Sequence, residues 1–119
     1  MAISIDASDL NALSAELAAT GTKAGRMAND LIRKTTSDIE RDAKTFAPVD
    51  TGNLRSSIRS RISAGGLASE ITPTAAYAHF VEHGTSRMAP HAFMGPALDR
   101  NTPGFVSAAE KLAREALGG

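Results

Sequence analysis

Two short runs of residues have the types and spacing that chemistry requires. His79, Glu82 and His83 follow the order H-x-x-E-H, which on a helix places two imidazoles one turn apart with a carboxylate beside them. Such a pair can bind Zn²⁺, but His91 or a remote carboxylate would have to supply a third ligand. The simpler interpretation, which we favour, is the solvent-facing side of a short helix.

Asp50, Thr51 and Gly52 match the D-T-G of aspartic proteases. That chemistry needs two carboxylates sharing a proton, which a homodimer could supply. Those enzymes are built almost wholly of strands, whereas this run lies between a predicted long helix and a predicted hairpin. We therefore interpret Asp50 or Thr51 as the cap of a short helical turn over residues 53–56, and Gly52 as relief of backbone crowding. The sequence predicts a protein with no catalytic residue, cofactor or metal site.

The composition narrows the function further. The chain has 119 residues, 13 basic and 13 acidic, and no Cys, so we expect one domain over residues 1–119 without thiolate chemistry. Zero net charge disfavours a dedicated nucleic-acid or membrane-surface protein. Of 50 hydrophobic residues, 22 are Ala, which predicts a thin core. The first ten residues lack the regions of a signal peptide, so we expect a soluble protein made in the cytosol.

Two helices are predicted before Pro48. The N-terminal one lies within residues 1–21, over 6–20, with Asp6 as its N-cap and leucines at helical spacing. The long one spans residues 22–47, and its apolar positions recur in steps of three and four. These positions are Ala28, Leu31 or Ile32, Thr35, Ile39, Ala43 and Phe46.

An antiparallel hairpin is predicted over residues 57–72. Polar and apolar residues alternate from Ser57, and Gly65-Gly66 is a turn signal. That turn sets Ser60 opposite Ile71 and Arg61 opposite Glu70, with the isoleucines on one face. The long helix packed on this small sheet predicts an α+β fold.

The C-terminal third combines helices with a long connection. We predict a short helix over 75–83, closed by Gly84, with Tyr77, Phe80 and Val81 on its packed side. Residues 84–104 contain three Gly and three Pro and are predicted to be an extended loop region with one turn of helix around residues 96–98. A final helix over 105–117 follows a start signal at Thr102-Pro103.

Basic residues accumulate in the middle of the chain. Residues 22–63 contain nine Lys and Arg against five Asp and Glu, and Arg55, Arg59 and Arg61 lie close together in the sequence. A nucleic-acid interface would normally add aromatic stacking residues, whereas this segment has only Phe46. A partner-facing or solvated surface is the favoured interpretation, and a DNA-binding module is the alternative.

Two runs together resemble a known family. Residues 47–58 read APVDTGNLRSSI, and residues 77–98 read YAHFVEHGTSRMAPHAFMGPAL. They are similar to the tail-component family of long-tailed bacteriophages typified by gene product ten of the HK-type siphophages, over residues 24–117 in order and spacing. The matching positions are Pro48, Asp50, Thr51, Gly52, Leu54, Arg55, Ser57, Ile58, Tyr77, Ala78, Val81, Glu82, Gly84 and Thr85. Ala92 and residues 101–104 depart from the family pattern.

The resemblance implies a non-enzymatic virion protein at the neck of the phage. It implies a tail-completion or head–tail joining role in a ring of six or twelve subunits, with DNA passing through the lumen without sequence-specific binding. The implied neighbours are connector, tail-terminator or tail-tube proteins, and no membrane is involved. Assembly would occur in the host cytoplasm. A zinc-dependent hydrolase using His79, Glu82 and His83 is the remaining, less favoured alternative.

The narrow, Ala-rich stripes suggest that ring neighbours complete the burial of each subunit. The long 84–104 region is expected to reach a neighbour, because long ordered connections are commonly functional. The predicted interface residues are Arg59, Arg61, Met88, Pro90, Phe93, Met94, Pro96 and Leu98.

Overall fold

The computed structural model describes residues 2–6, 23–48, 52–63 and 65–118. Three strands and four helices follow one another along these segments. The strands are β1 (Ile3–Asp6), β2 (Ile58–Ile62) and β3 (Ala68–Pro73), and the helices are α1 (Lys23–Phe46), α2 (Asn53–Ser56), α3 (Ala78–His83) and α4 (Met94–Gly118). The predicted α+β class is confirmed.

Helix α1 is the central support of the fold. It packs on the sheet with one face and on α4 along its length. Its predicted apolar line is confirmed, with Ile32, Ile39 and Ala43 fully buried. Thr36 adds a polar contact to the sheet, because its hydroxyl lies 2.6 Å from that of Ser69. The buried apolar core of the described residues is Ile3, Ile32, Ile39, Ala43, Ala47, Leu54, Ile58, Ile71, Ala78, Phe93, Met94 and Ala97.

The sheet has the strand order β1-β3-β2, and both pairs are antiparallel. The predicted hairpin register is confirmed, with Ser60 opposite Ile71 and Arg61 opposite Glu70. Strand β1 was not anticipated, because four residues at the start of a chain carry too little periodicity to distinguish a strand from a helix start. It contributes Ile3 to the core.

The hairpin turn is fixed by α1 as well as by its glycines. The Gly66 N–H donates to the carbonyl of Ser63 (2.9 Å), and Gly66 has a φ of +72°, a conformation that favours glycine. With its amide oriented to satisfy both neighbours, Asn29 donates to the carbonyls of Gly65 and Gly66 at 3.2 and 3.1 Å. A Cβ on Gly66 would meet this amide at 2.6 Å, so the contact depends on glycine.

The predicted loop over residues 84–104 is wrong in its second half. Helix α4 starts at Met94 and runs through Pro103, so Thr102-Pro103 does not start the final helix. Pro96 lies in the first turn, where the missing N–H has no intrahelical partner to lose. Thr102 lies inside the helix, and its hydroxyl donates to the carbonyl of Leu98 (2.8 Å). Pro103 is tolerated on an exposed side of the helix, where the freed carbonyl four residues earlier can meet water.

Other predictions fall partly outside the described residues. The N-terminal helix predicted over residues 6–20 meets the described residues only at Asp6, its expected N-cap, which is the last residue of β1; the rest of that prediction lies outside the described residues. Asp50 and Thr51 lie outside the described residues, and the residue at the N-cap position of α2 is Gly52. The prediction that Gly52 relieves crowding is wrong, because nothing lies within 4 Å of a Cβ built there; its φ of +70° is what favours glycine. Helix α3 confirms the predicted short helix, although it begins at Ala78 rather than residue 75. Neither long helix has, in its described part, a segment long and apolar enough to cross a membrane.

Candidate functional site

The two runs singled out in the sequence meet in space. Asn53, at the start of α2, donates from its side-chain amide to the hydroxyl of Tyr77 (3.2 Å). The Ser57 carbonyl accepts two hydrogen bonds from Thr74, one from the backbone N–H (2.9 Å) and one from the hydroxyl (2.8 Å). Leu54 lies in the same core as the start of α3. The first run therefore anchors the segment that leads into the second.

Arg55 joins α2 to the C-terminal end of α1. Its Nε donates to the carbonyl of Lys44 at 3.0 Å, one of the last carbonyls of α1 and lacking an intrahelical partner. A cation at this end also interacts favourably with the helix dipole. Arg55 is therefore held against its own subunit, whereas Arg59 and Arg61 are exposed on β2.

Glu82 is the centre of the second run. Although it belongs to α3, its carboxylate accepts backbone N–H groups at the start of α4. Oε1 accepts from Phe93 (3.0 Å) and Met94 (2.9 Å), and Oε2 accepts from Gly95 (3.1 Å). The first N–H groups of a helix have no partner within it, so Glu82 supplies the cap for α4 from another helix. We call this arrangement the Glu82 junction.

The junction holds Glu82 in its charged form. Burial of the side chain opposes ionisation, but the N–H groups of Phe93, Met94 and Gly95 favour the carboxylate and together lower the pKa of Glu82 below its ordinary value. His83 adds a smaller attraction. A carboxylate that accepts three backbone hydrogen bonds is bound to the fold and has little capacity left for a metal or a reaction.

The connection between α3 and α4 covers residues 84–93 and folds back on itself. Gly84 ends α3 with a φ of +77°, and a Cβ there would lie 2.8 Å from the backbone of Met88 and Pro90. The Thr85 N–H donates to the Met88 carbonyl (2.8 Å), and the His91 N–H donates to the carbonyl of Val81 (2.8 Å). These contacts direct the chain so that Phe93 and Met94 enter the core.

A second polar contact fastens α4 to α1. Asp42 is buried on α1, and its Oδ2 accepts from the side-chain amide of Asn101 (2.8 Å). The hydrogen bond from Asn101 lowers the pKa of Asp42; burial opposes this, and Arg41 and Arg100 reinforce it. In the sequence, Asp42 is one of the charged residues that separate the apolar positions of α1. Its spacing of three from Ile39 is the one signal that it faces a partner helix.

The zinc-binding alternative for His79, Glu82 and His83 does not find its geometry in the structure. His79 and His83 are exposed with ring centroids 4.7 Å apart, but Glu82 turns inward to α4. No group of three or more His, Cys, Asp or Glu side chains in the described segments could hold a metal ion. The helices described on either side of the D-T-G run are α1 and α2, whereas aspartic proteases are built almost wholly of strands.

The structure separates the predicted interface residues into two groups. Phe93 and Met94 were expected to reach a neighbour, and this is wrong, because they are 0% and 2% exposed in the core of their own subunit. Leu98 packs partly against the same core. The remaining predicted positions are exposed: Arg59, Arg61, Met88, Pro90 and Pro96.

The outer side of α3 was assigned incorrectly. Tyr77 and Phe80 were expected to pack inward, but they are 39% and 51% exposed, and the buried positions of α3 are Ala78 and Glu82. Hydrophobicity alone misled here, because a charged side chain occupies the inward position. Met88, 43% exposed on the following connection, adds a third large apolar side chain at the surface.

A basic groove lies between α1 and α2. It has a volume of about 520 Å³ and is open to solvent. Its cations are already committed in part: Lys44 pairs with Glu40 (3.2 Å), and Arg41 pairs with Asp38 (3.1 Å). The lining residues are Ser37, Glu40, Arg41, Lys44, Thr45 and Arg55. The groove therefore has less free positive charge than its composition suggests.

Comparison with known proteins gives one match. Residues 11–84 match the family model of HK97-gp10-like proteins, described as bacteriophage tail components. The matched range covers more than half of the chain and includes α1, the hairpin and α3. No curated protein matches, and no solved structure matches.

Proposed function

Because the chain belongs to the HK97-gp10-like family of bacteriophage tail components, we propose that it acts in tail completion at the neck, as a ring subunit that joins head to tail. Family membership makes it a structural component of the virion. The proposal adds where the protein lies in the virion, at the neck, and how its copies are arranged, in a ring. The ring has six or twelve copies, and phage DNA passes through it.

The observation that carries the proposal is the family match itself, because it extends over the two elements that build the body of the subunit, α1 and the hairpin. The surface is consistent with a subunit that has neighbours. Tyr77, Phe80 and Met88 are large apolar side chains that are exposed on α3 and on the residues that flank it, where a neighbouring protein could cover them.

The partners of such a ring are connector proteins on the head side and tail-terminator or tail-tube proteins on the tail side. The exposed residues of α3 and of the connection after it are the candidate contacts for one of these partners. Phe80 and Met88 suit the role because aromatic and Met side chains are enriched in interface cores. A neutral chain is suited to letting DNA pass, since it forms few lasting contacts with phosphates.

The test uses a phage in which this gene is inactivated. We expect electron micrographs to show filled heads and complete tails that are not joined, and expression of the natural chain from a plasmid to restore joined, infectious particles. Normal joined particles without the protein would overturn the proposed role. Tails of abnormal length would instead indicate a role in tail assembly.

A sharper version compares two exposed apolar residues. Phe80 is 51% exposed on α3, and Val106 is 44% exposed on α4. The two variants are Phe80→Ser and Val106→Ser. Both variants should keep the thermal midpoint of the natural chain, because neither residue is buried. If α3 contacts a neck partner, Phe80→Ser should lower the yield of infectious particles at least tenfold more than Val106→Ser. Equal yields would remove α3 from the interface.

Direct DNA binding is the alternative, favoured only by Arg59, Arg61 and the basic groove. A filter-binding titration at low and moderate salt distinguishes the two functions. A DNA-binding module should bind tightly with a steep salt dependence, because phosphate contacts release counterions. The proposed ring subunit should bind weakly at both salt concentrations.

A further inference from the structure

In the part of the chain that the structure describes, the three-stranded sheet ends in two open edges. Strand β3 lies in the middle, so β1 and β2 each have a neighbour on one side only. Among the described residues, β2 contacts α1, α2 and β3, and no backbone hydrogen bond joins its outer edge to another element. An open edge is a template for pairing with another strand.

The register identifies which backbone groups point outward. In an antiparallel pair, hydrogen-bonded and non-hydrogen-bonded residue pairs alternate. Ser57 bonds to Thr74, and Ser63 bonds to Ala68, so Arg59 and Arg61 use their backbone groups within the sheet. The N–H and C=O of Ser60 therefore face away from β3. By the same alternation, Ser4 is the residue of β1 whose backbone groups point away from the sheet.

We propose that the open edge of β2 pairs with the open edge of β1 from a second copy of this chain, so that one sheet continues from subunit to subunit. The inference rests on the proposed ring and names the surface through which it closes. The two edges are different surfaces on opposite sides of the sheet, as a head-to-tail ring requires.

The charges favour this pairing over β2 with β2. If two β2 strands paired antiparallel about Ser60, Arg59 of each copy would lie opposite Arg61 of the other, and like charges directly opposite destabilise a pair. Strand β1 has the sequence ISID, with one acidic and no basic residue. The basic edge of one copy thus meets an edge without positive charge.

The strand directions also suit a ring. Strands β1 and β2 are both antiparallel to β3, so they run in the same direction. A continued sheet joins them as a parallel pair and leaves α1 on the same side of the sheet in every copy. Each copy is then related to the next by the same rotation, which is what a closed ring requires.

The first experiment removes one outward N–H. Ser60→Pro deletes the donor that faces the neighbouring copy but no hydrogen bond of the sheet, since proline is tolerated at an edge. Ser60→Ala is the matched control: it keeps the N–H and loses only the hydroxyl contact to Glu40 (2.9 Å). Native mass measurement should show Ser60→Pro assembling only at a concentration at least about tenfold higher than the natural chain and Ser60→Ala.

The second experiment uses the absence of Cys from the chain. In the double variant Ser4→Cys with Arg61→Cys, the two thiols of one chain lie two strand spacings apart, about 10 Å, which is too far for a disulfide. Oxidation should therefore link different copies into a ladder of multimers. Ser4→Cys with Glu110→Cys, also exposed, should give no ladder.

The outcomes separate this inference from the proposed function. Rings that form with Ser60→Pro as readily as with Ser60→Ala, or a ladder absent from assembled protein, would overturn the edge pairing and leave the ring intact. Dimers from the double variant Arg59→Cys with Arg61→Cys, whose thiols lie opposite each other when two β2 strands pair about Ser60, would also overturn it, in favour of β2 with β2. A natural chain that stays monomeric at every concentration would overturn both. Equal thermal midpoints of the dilute Ser60 variants show that folding is not the cause.

Discussion

The Glu82 junction and the outer edge of β2 differ in whether their backbone polar groups have partners within the subunit. At the junction, a buried carboxylate satisfies three backbone N–H groups at the start of a helix. At the edge, the backbone of Ser60 faces outward between two exposed arginines. The difference separates two kinds of residue: those that complete the subunit and those whose polar groups remain available to a neighbour.

The comparison changes how the second run of residues is understood. Its centre, Glu82, holds α3 and α4 together and therefore determines where the exposed residues of α3 lie. The run contributes to assembly indirectly, by fixing a surface. The residues that could contact a neighbour stand beside the buried positions, as Phe80 stands beside Glu82.

Truncating the Phe93 side chain, which lies next to the Glu82 junction, should have the largest effect on the stability of the subunit. Phe93 is fully buried, so Phe93→Ala should lower the free energy of unfolding by about 3–5 kcal/mol, through lost burial and the cavity left behind. Met88→Ala, on the exposed part of the same connection, should change it by less than about 0.5 kcal/mol. Chemical denaturation measures both. Similar values for the two variants would show that Phe93 is not a core residue in solution.

Neutralising Glu82 should have the next largest effect. Glu82→Gln keeps the size of the side chain but replaces one acceptor oxygen by an amide donor, so one N–H of the α4 start loses its partner. We expect a loss of about 2 kcal/mol at pH 7. Glu110→Gln, at an exposed site on α4, is the control and should be neutral.

The pH dependence gives this prediction a second measurement. The folded-state pKa of Glu82 is lowered, so its contribution is complete above the unfolded pKa, about 4.3. It is lost as the pH falls through the lower folded value. The difference in thermal midpoint between the natural chain and Glu82→Gln should therefore shrink below about pH 4.5. A difference that stays constant down to pH 3 would contradict the charged cap.

A smaller effect is expected where α1 and α4 are fastened. Asn101→Ala removes the donor to Asp42 and leaves a buried carboxylate with Arg41 and Arg100 as its remaining partners. The loss should be about 1–2 kcal/mol. The double variant with Asp42→Ala should lose less than the sum of the two single variants, because they share one contact. Additive losses would show that the two side chains act independently.

Substitutions at the outer edge of β2 should change the stability of the subunit least. The double variant Arg59→Ala with Arg61→Ala should change the stability of the dilute subunit by less than about 0.5 kcal/mol, because both side chains are exposed. Denaturation of the isolated chain measures this. A large loss would place these arginines in the subunit's own structure and remove the contrast between the two regions.

Local pattern was enough for some elements and insufficient for others. The apolar spacing of α1 and the alternation around Gly65 and Gly66 predict a helix and a hairpin register that the structure confirms. Glycine and proline counts failed at residues 94–104. These residues are helical because Glu82 caps the start of α4 and Asp42 holds its middle, and both partners are remote in the sequence.

The candidate site shows the same division. The two runs were recognised from their residue types, since a pattern of fixed spacing is visible in one chain. The inward direction of Glu82 and the exposure of Phe80 could not be read from that pattern, because a helix with mixed residues has no unique buried side until another element packs on it.

The sequence by itself determined the family, the long helix, the hairpin with its register, and the absence of thiol chemistry. Each depends on neighbours within a few residues or on composition. Only the tertiary structure decided that Phe93 belongs to the core and that Glu82 caps a distant helix. It also decided that β1 pairs with β3, so that β2 lies at an edge of the described sheet. Those outcomes depend on which surfaces meet, and burial and hydrogen-bond satisfaction are properties of the packed chain.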